Sequence, residues 1–396
     1  MANEQQRDPD YERRRRIAAK RRRERERRRK IAMIKRAVVF GVLLVIMLVL
    51  VVVAINLIKK DKKHDNGGSI TNTESLVDGT DSGTSDGQEA TAEPEPAIPV
   101  GDLNAPEGSK DEVMASAYKM YAQYDYDNAL AKLLAYEDQT DPDIIKMIAD
   151  VNGAKSSCVA VDVNTVPHIF FHSLINDNRA FIVTDQVTEG RVTANNAAMA
   201  TVDEFNHVIN QMYEAGFVMI ALDDMVIRNG DGSFTPNNNI MLPQGKKAFI
   251  MSEDDLSYYH SYGEKGVQGY ADRLVIDENG KVKCEYYNQA GERLIGDYDM
   301  VPLIDSFIEA HPDFAYHDAR PTVALTGYNG VLGYITNNYY CEGPESENLG
   351  TAQKNFLLSH PDWNFDQDCA EARKIAEAMK ANGWTFASHT YGHLNA

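Results

Sequence analysis

The hydrophobic residues form one uninterrupted run near the start of the chain and recur in shorter, patterned groups after residue 110. The uninterrupted run is 37–58, AVVFGVLLVIMLVLVVVAINLI, in which only Asn56 is strongly polar. As a helix it rises roughly 33 Å, enough to cross a hydrocarbon core of about 30 Å. It exceeds the apolar run of about 7–15 residues in a cleavable signal peptide, and it has no polar face. The pattern therefore predicts an uncleaved transmembrane signal anchor.

The charges on either side of this run predict its orientation. Residues 1–36 carry 16 basic and 6 acidic side chains, whereas residues 59–396 carry a net charge of −29. Because the larger basic excess stays cytoplasmic, we predict a single-pass protein of the cell membrane with its C-terminal part outside the cell. An arginine-rich tail also fits nucleic acid. Beside a span, contact with anionic lipid headgroups is favoured, and we expect no nucleic-acid partner.

The segments after the span are first polar and then helical. Residues 59–110 are rich in Gly, Ser, Thr, Asp, Glu and Pro, which predicts a disordered linker. Over 111–157, apolar residues recur at helical spacing and predict two or three short helices forming a hairpin. Tyr124 to Leu130 is similar to the helix-turn of a tetratricopeptide repeat, but one unit is too few for a solenoid. A helical spacer packed on the following domain is favoured over a separate binding module.

Residues 158–396 alternate strand-like and helix-like segments, which predicts an α/β domain with a parallel sheet or a barrel. The Asn279-Gly280 turn predicts a hairpin or meander over 273–296. Strands are predicted over 166–173, 217–222, 247–252, 321–326 and 384–388, and helices over 203–215, 301–310 and 368–381. The four cysteines have no Cys-x-x-Cys spacing, so a thiolate metal site is disfavoured. An oxidising exterior allows one or two disulfides that the sequence does not assign.

Two His-x-x-x-His pairs are candidate metal ligands, although the spacing alone is a weak signal. His168 and His172 lie in a predicted strand, where four residues span about 13 Å, so these two side chains would not share an ion. His389 and His393 follow a predicted strand, and Gly392 between them allows the chain to curl so that both imidazoles converge. Thr390 stands where a zincin protease carries Glu, which argues against that class.

A carboxylate is the usual third ligand, and Asp254-Asp255 follow the strand predicted over 247–252. With Glu253 they form three adjacent carboxylates, which are easier to keep ionised beside a cation. The pair Asp223-Asp224 also follows a strand, and capping of a helix is an equally natural role for it. The residues alone leave both pairs open between a metal-binding and a structural role.

The aspartate pair after a strand, followed far downstream by His389-Thr390-Tyr391-Gly392-His393, resembles the polysaccharide deacetylase family. This is carbohydrate esterase family four, with the nodulation-protein-type deacetylase domain. Val166 to Ser173 is similar to the opening strand of that domain, and Thr201 to Leu222 to the helix and strand before the aspartates. Gly327 to Tyr334 and the hairpin insert resemble a Gram-positive, membrane-anchored branch. The resemblance covers residues 158–396 and implies an incomplete (β/α) barrel of the polysaccharide deacetylase type.

The resemblance implies a role for each matched residue. The ligands of one divalent metal ion would be Asp255, His389 and His393. Zn²⁺ is the expected ion, with Co²⁺, Mn²⁺ or Ni²⁺ as alternatives. Asp254 would be the general base that takes a proton from the water attacking an acetamide carbonyl. Tyr391 would contribute a backbone amide to substrate binding, and His172 would either touch substrate or remain a core histidine.

The sequence departs from the family pattern in two places. The family motif Thr-Phe-Asp-Asp-Gly has Ser252, Glu253 and Leu256 in place of Thr, Phe and Gly. Glu253 is expected to add negative charge beside the base, which raises the pKa of the base or recruits another cation. The sequence ends at Ala396 without the family's later motifs, which supply an Arg that orients the base and a general acid. We therefore expect an incomplete barrel of low stability on its own, with little or no catalysis.

The function that the resemblance implies is metal-dependent removal of N-acetyl groups from a cell-surface polysaccharide such as peptidoglycan or poly-N-acetylglucosamine. The expected partners are that acetylated polysaccharide and, through the span and basic tail, membrane lipid. One alternative is a non-catalytic carbohydrate-binding or scaffolding membrane protein on the same fold, which the altered first motif favours. Another is an esterase that acts on O-acetyl groups.

Overall fold

A computed structural model describes residues 106–185, 187–258 and 269–393. The predicted basic tail (1–36), the predicted span (37–58) and nearly all of the predicted linker (59–110) lie outside these residues. Within the described ranges, no helix combines the length and the apolar character that crossing a bilayer requires.

The helices and strands follow one another in mixed order along the described chain. The α-helices are α1 Lys110–Ala122, α2 Tyr126–Leu134, α3 Pro142–Ser157, α4 Glu189–Ala198, α5 Val202–Glu214, α6 Met300–Ala310, α7 Thr351–Ser359 and α8 Phe365–Ala381. The strands are β1 Cys158–Ala160, β2 His168–His172, β3 Phe217–Met219, β4 Val226–Arg228, β5 Phe234–Pro236, β6 Met241–Pro243, β7 Lys247–Asp254, β8 Arg273–Ile276, β9 Val282–Tyr287, β10 Arg293–Gly296, β11 Thr322–Leu325 and β12 Thr385–Ser388.

A parallel five-stranded sheet lies at the centre of the fold. Its hydrogen-bonded order is β12-β11-β7-β2, and β3 pairs with the N-terminal half of β7. Each of these pairings is parallel. The prediction of an α/β domain with a parallel sheet is therefore confirmed. Among the described residues the sheet path is open, with β12 at one end and β2 at the other.

The meander predicted over 273–296 consists of β8, β9 and β10, which pair antiparallel in sequence order. Gly280 has a φ of 78° in the first turn, a conformation that glycine adopts without steric cost. The Asp277 carboxylate accepts the backbone N–H groups of Asn279 and Lys281, which closes this turn. The meander is an insertion between β7 and α6 and lies outside the central sheet.

The segment predicted as a helical hairpin contains three helices, α1, α2 and α3. Ser109 and Asp141 start α1 and α3 by accepting backbone N–H groups of the first turn. The helices share a buried cluster with the central sheet, because Leu133 and Ile144 pack in the same cluster as Val218 of β3 and Ala248 of β7. The helices are thus packed on the α/β domain.

Side chains of β7 alternate between two sides of the sheet, as the two-residue period of a strand requires. Phe249 and Met251 point into the larger core, which also contains Phe205 of α5 and buried Trp384 before β12. Ala248 points the other way, into the cluster with α1–α3. The alternation places residues 252 and 254 on the even-numbered side, toward the carboxyl end of the strand. It places residue 253 on the side of the larger core.

The Leu133→Ala variant is expected to lower the free energy of unfolding by about 2–5 kcal/mol. Leu133 lies on α2 and is fully buried, so its truncation removes apolar contacts with neighbouring elements and leaves a cavity. The neighbouring Leu134 is 60% exposed and provides a matched control. Leu134→Ala is expected to change the same quantity by less than about 0.5 kcal/mol. Urea unfolding of the full chain measures both, and equal effects would show that α2 does not pack on the domain.

Candidate metal centre

The candidate site lies at the carboxyl edge of the parallel sheet, where three strands end together. Asp254 is the last residue of β7, and His389 directly follows β12. Strand β11 lies between them, so β7 and β12 are about 10 Å apart. The backbone N–H groups of Asp255 and His389 donate to the carbonyl oxygens of Ala324 and Leu325 of β11, at 3.0 and 2.8 Å. Both ends are therefore fixed to the same central strand.

Three of the predicted site residues converge above that edge. Asp255, His389 and His393 each offer a ligand atom, and these atoms lie within 4.8 Å of one another. The Asp255 carboxylate is 3.9 Å from His389 Nε2 and 3.3 Å from His393 Nε2. The two imidazole centroids are 5.2 Å apart, with planes inclined at 48°. Asp255 is buried, His389 is half-buried and His393 is exposed, so the cluster opens toward solvent.

The backbone around these side chains adopts the left-handed region at residues that are not glycine. Asp255, Thr390 and His393 have φ values of 60°, 64° and 52°. The prediction that Gly392 provides the curl between the histidines is wrong, since Gly392 is not among the residues with positive φ. The turn comes instead from Thr390 and His393. Such conformations cost of order 1–3 kcal/mol each and are concentrated at functional sites.

The three side chains could hold a single metal ion. Two atoms bound at about 2.0–2.2 Å to one tetrahedral zinc ion lie about 3.3–3.6 Å apart. The Asp255 carboxylate is 3.3 and 3.9 Å from the two imidazole nitrogens, and all three ligand atoms lie within 4.8 Å of one another. Two imidazole nitrogens and one carboxylate oxygen form the donor set of catalytic zinc sites, which keep a further position open.

Asp254, the predicted base, adjoins the cluster but is not one of its three members. Its side chain is half-buried on the even-numbered side of β7. The Ser252 hydroxyl lies 3.4 Å from Asp254 Oδ1. In the register of the sheet, His172 of β2 is the cross-strand partner of Asp254. The predicted base and the predicted metal ligand Asp255 are thus consecutive residues, with Asp254 ending the strand and Asp255 beginning the turn.

Glu253 lies on the opposite side of the strand from its neighbours. Its side chain is fully buried, and its carboxylate oxygens meet hydrogen-bond geometry with no partner among the described residues. Burial raises the pKa of Glu253 well above its usual value, and the nearby carboxylate of Asp299 raises it further. Burial also raises the pKa of Asp299, to about 6. The structure argues against the prediction that Glu253 adds negative charge beside Asp254, because the Glu253 side chain points away from Asp254 into the core, where burial favours the neutral form.

We expect the Glu253→Gln variant to flatten the dependence of stability on pH. The folded chain holds the Glu253 proton more tightly than the unfolded chain, so the free energy of unfolding falls as pH rises above about 4.3, the usual pKa of Glu. The slope for one proton is at most about 1.4 kcal/mol per pH unit. Gln has the shape of Glu but no proton to lose. The free energy of unfolding of Glu253→Gln relative to the wild type should therefore be higher at pH 8 than at pH 4.

Urea unfolding at both pH values measures this difference. Glu278→Gln on the exposed turn of the meander is the control, and its profile should follow the wild type. Parallel profiles for Glu253→Gln and the wild type would show that Glu253 ionises normally.

The two residues predicted to contact substrate, Tyr391 and His172, adjoin residues of the candidate metal site but are not among its three candidate ligands. The Tyr391 ring is 56% exposed, and a Cβ at Gly327 would lie 2.9 Å from that ring. The Tyr391 carbonyl accepts the N–H groups of Gly327 and Tyr328 at 3.1 and 2.9 Å. This fixes the loop between the two histidines to the end of β11. His172 is half-buried and meets the Phe170 ring edge-on, with centroids 5.9 Å apart.

In the other candidate pair, Asp223-Asp224, the second aspartate caps a short helix. Asp224 accepts the backbone N–H of Ala221 at 3.0 Å, which caps the short 3₁₀-helix that begins at Leu222. No metal-binding group of the described residues includes either aspartate. The four cysteines lie in described segments and are free thiols, so none of the disulfides that the sequence allows is formed.

Two side chains that sequence reasoning did not assign to the site are linked to Asp254: Ser252 lies next to it, and His168 lies on the other side of Ser252. Ser252 is buried between Asp254 and His168, and its hydroxyl is 2.9 Å from His168 Nε2. In the sequence, Ser252 stands at the Thr position of the family motif and two residues before Asp254, which puts both side chains on one side of the strand. His168 comes from another strand and carried no such signal.

Comparison with known proteins adds no assignment. A scan against protein-family models, a search of curated proteins and a search of solved structures each found no match to this chain.

Proposed function

We propose that this chain is a metal-dependent hydrolase that removes N-acetyl groups from a cell-surface polysaccharide such as peptidoglycan or poly-N-acetylglucosamine. One observation carries the proposal: Asp255, His389 and His393 converge at the carboxyl edge of a parallel sheet, with a second carboxylate, Asp254, directly beside them. Polar groups at this edge of an open α/β sheet are the usual location of a binding site. The sequence resemblance to the polysaccharide deacetylase family supports the choice of reaction.

Asp255, His389 and His393 would hold the divalent ion, for which we propose Zn²⁺. A bound ion of this kind lowers the pKa of water toward 7 and polarises a carbonyl oxygen. The burial of Asp255 fixes the carboxylate at the base of the cluster, and the exposure of His393 leaves the solvent side accessible to a polymer. Co²⁺, Mn²⁺ and Ni²⁺ accept the same donor set.

Asp254 would act as the general base. It is half-buried and adjacent to the ligand Asp255, so it can accept a proton from a water molecule at the cluster. The water oxygen forms a bond to the acetamide carbon as this proton moves to Asp254. The carbon–nitrogen bond then breaks as Asp254 returns this proton to the leaving nitrogen, and an amino sugar and acetic acid, which ionises to acetate in solution, are released. Tyr391 stands between the two histidines in the chain and exposes its ring to solvent, where a sugar would approach.

The parallel sheet also supports a proposal about architecture. The order β12-β11-β7-β2 with β3 beside β7 is compatible with an incomplete (β/α) barrel of the polysaccharide deacetylase type. We further propose that the domain lies outside the cell, anchored by the apolar run 37–58 and its basic tail to membrane lipid. An acetylated wall or surface polysaccharide is then the accessible partner.

The zinc-loaded chain is expected to release acetate from oligomers of N-acetylglucosamine and to leave free amines. Long incubations are appropriate because we expect slow turnover. Acetate and primary amine are quantified together, and an O-acetylated xylan oligomer is tested in parallel. Equal amounts of acetate and amine support the proposal.

Three results would contradict it in different ways. Acetate without amine, obtained only from the O-acetylated oligomer, would identify an esterase. Binding of the oligomer without any acetate would favour a non-catalytic carbohydrate-binding protein. Acetate release that persists after complete removal of metal would exclude the proposed role of the cluster.

A further inference from the structure

Ser252 joins Asp254 to a histidine of the neighbouring strand. Its hydroxyl is 3.4 Å from Asp254 Oδ1 and 2.9 Å from His168 Nε2. Ser252 is 8% exposed, so water has little access to its hydroxyl. The three side chains lie on the even-numbered side of the sheet, with His168 at the start of β2 and Asp254 at the end of β7.

The single hydroxyl hydrogen of Ser252 determines the direction of both hydrogen bonds. The hydroxyl donates to Asp254 Oδ1 at 3.4 Å, where the carboxylate oxygen accepts. The Ser252 oxygen must then accept from His168, which requires that His168 carry a proton on Nε2. The chain of donors therefore runs from His168 through Ser252 to Asp254.

The strand register holds this arrangement in place. His168 pairs with Ile250 and Phe170 pairs with Ser252, so His168 reaches Ser252 diagonally across the two strands. The Phe170 ring lies beside the imidazole, with centroids 6.3 Å apart. Because β2 and β7 are adjacent parallel strands, their backbone hydrogen bonds fix the separation of His168 and Ser252.

We propose that Ser252 and His168 are positioning residues that orient the carboxylate of Asp254 for proton transfer. The terminal torsion of an aspartate is broad, so a carboxylate at a strand end needs a partner to hold one rotamer. Ser252 supplies that partner, and His168 prevents the hydroxyl from turning away. The inference rests on the proposed role of Asp254 as the base. Neither positioning residue belongs to the cluster of candidate metal ligands among the described residues.

Kinetics of the full chain test the proposal. Ser252→Ala and His168→Phe are expected to lower kcat by about 10- to 100-fold, the scale of a misplaced catalytic group, with KM and zinc affinity unchanged. Ser252→Thr keeps the hydroxyl and is expected to restore most of the activity. His207→Phe, on the exposed face of α5, is the matched control, and its kcat should equal that of the wild type. Unchanged kcat in Ser252→Ala, while Asp254→Asn is inactive, would overturn the inference but leave the proposed function standing.

A spectroscopic measurement tests the positioning role of Ser252 and His168 separately from the proposed hydrolase function, because it does not depend on turnover. Nitrogen-15 NMR at alkaline pH reports which nitrogen of His168 carries the proton. The wild type should show Nε2–H. In Asp254→Ala the Ser252 hydroxyl is free to donate to His168, so the population of His168 with Nδ1–H should rise. When Ser252→Ala is already present, adding Asp254→Ala should leave the His168 tautomer unchanged. A His168 signal that does not respond to Asp254→Ala would refute the link. The expected response with no acetate from any variant would instead refute the proposed function.

Discussion

The Asp255→Asn variant is expected to bind Zn²⁺ more than about 100-fold more weakly than the wild type, beyond the 10- to 100-fold loss that follows removal of an outer partner of a ligand. Asp255 contributes the only carboxylate of the three-membered cluster and lies 3.3 Å from His393 Nε2 and 3.9 Å from His389 Nε2. An amide keeps the size of the side chain but removes the negative charge that attracts the cation. Titration calorimetry on the full chain measures the loss.

Thermal unfolding provides an independent readout of the same change. A ligand that binds only the folded state at 100 times its Kd stabilises it by about 2.7 kcal/mol, so zinc should raise the Tm of the wild type and not that of Asp255→Asn. Asp223→Asn is the matched control, since Asp223 also follows a strand and lies outside the cluster. If Asp255→Asn and Asp223→Asn bound zinc equally well, the three-residue site would be wrong.

The second large effect is expected in Asp254→Asn, which should lower the rate of acetate release by about 10²- to 10⁴-fold. The asparagine amide cannot accept the proton of the attacking water. Zinc affinity should stay close to that of the wild type, because Asp254 is not one of the three ligating residues. Acetate release and zinc titration on the same preparations measure the two quantities.

The combination of the two variants separates binding from chemistry. Asp255→Asn should lose both zinc and activity, whereas Asp254→Asn should lose only activity. If Asp254→Asn released acetate at the wild-type rate, another group would be the base. If it lost zinc as strongly as Asp255→Asn, Asp254 would be a ligand.

The elements that position the site could be predicted because their patterns are local. The helix α5 and the strands β7 and β12 were each predicted to within a few residues of their observed bounds. An amphipathic helix has a 3.6-residue period, and strand β7 is an apolar run that ends in carboxylates. Parallel strands place their carboxyl ends at one edge, which explains why residues more than 130 positions apart meet there.

The parts that could not be predicted depend on contacts between distant segments. The burial of Glu253 requires knowledge that the odd-numbered side of β7 faces the larger core and that Asp299 lies there. The turn at Thr390 and His393 is set by hydrogen bonds to the end of β11 rather than by the local glycine. The contact between Ser252 and His168 depends on the register of two strands that are about 80 residues apart.

Anomalous diffraction at the zinc edge, from crystals of the chain grown with Zn²⁺, would show directly whether Asp255, His389 and His393 bind one ion. We expect one strong peak about 2.0–2.2 Å from an Asp255 carboxylate oxygen and from one imidazole nitrogen each of His389 and His393. A strong zinc peak elsewhere, with the three side chains unliganded, would contradict this expectation.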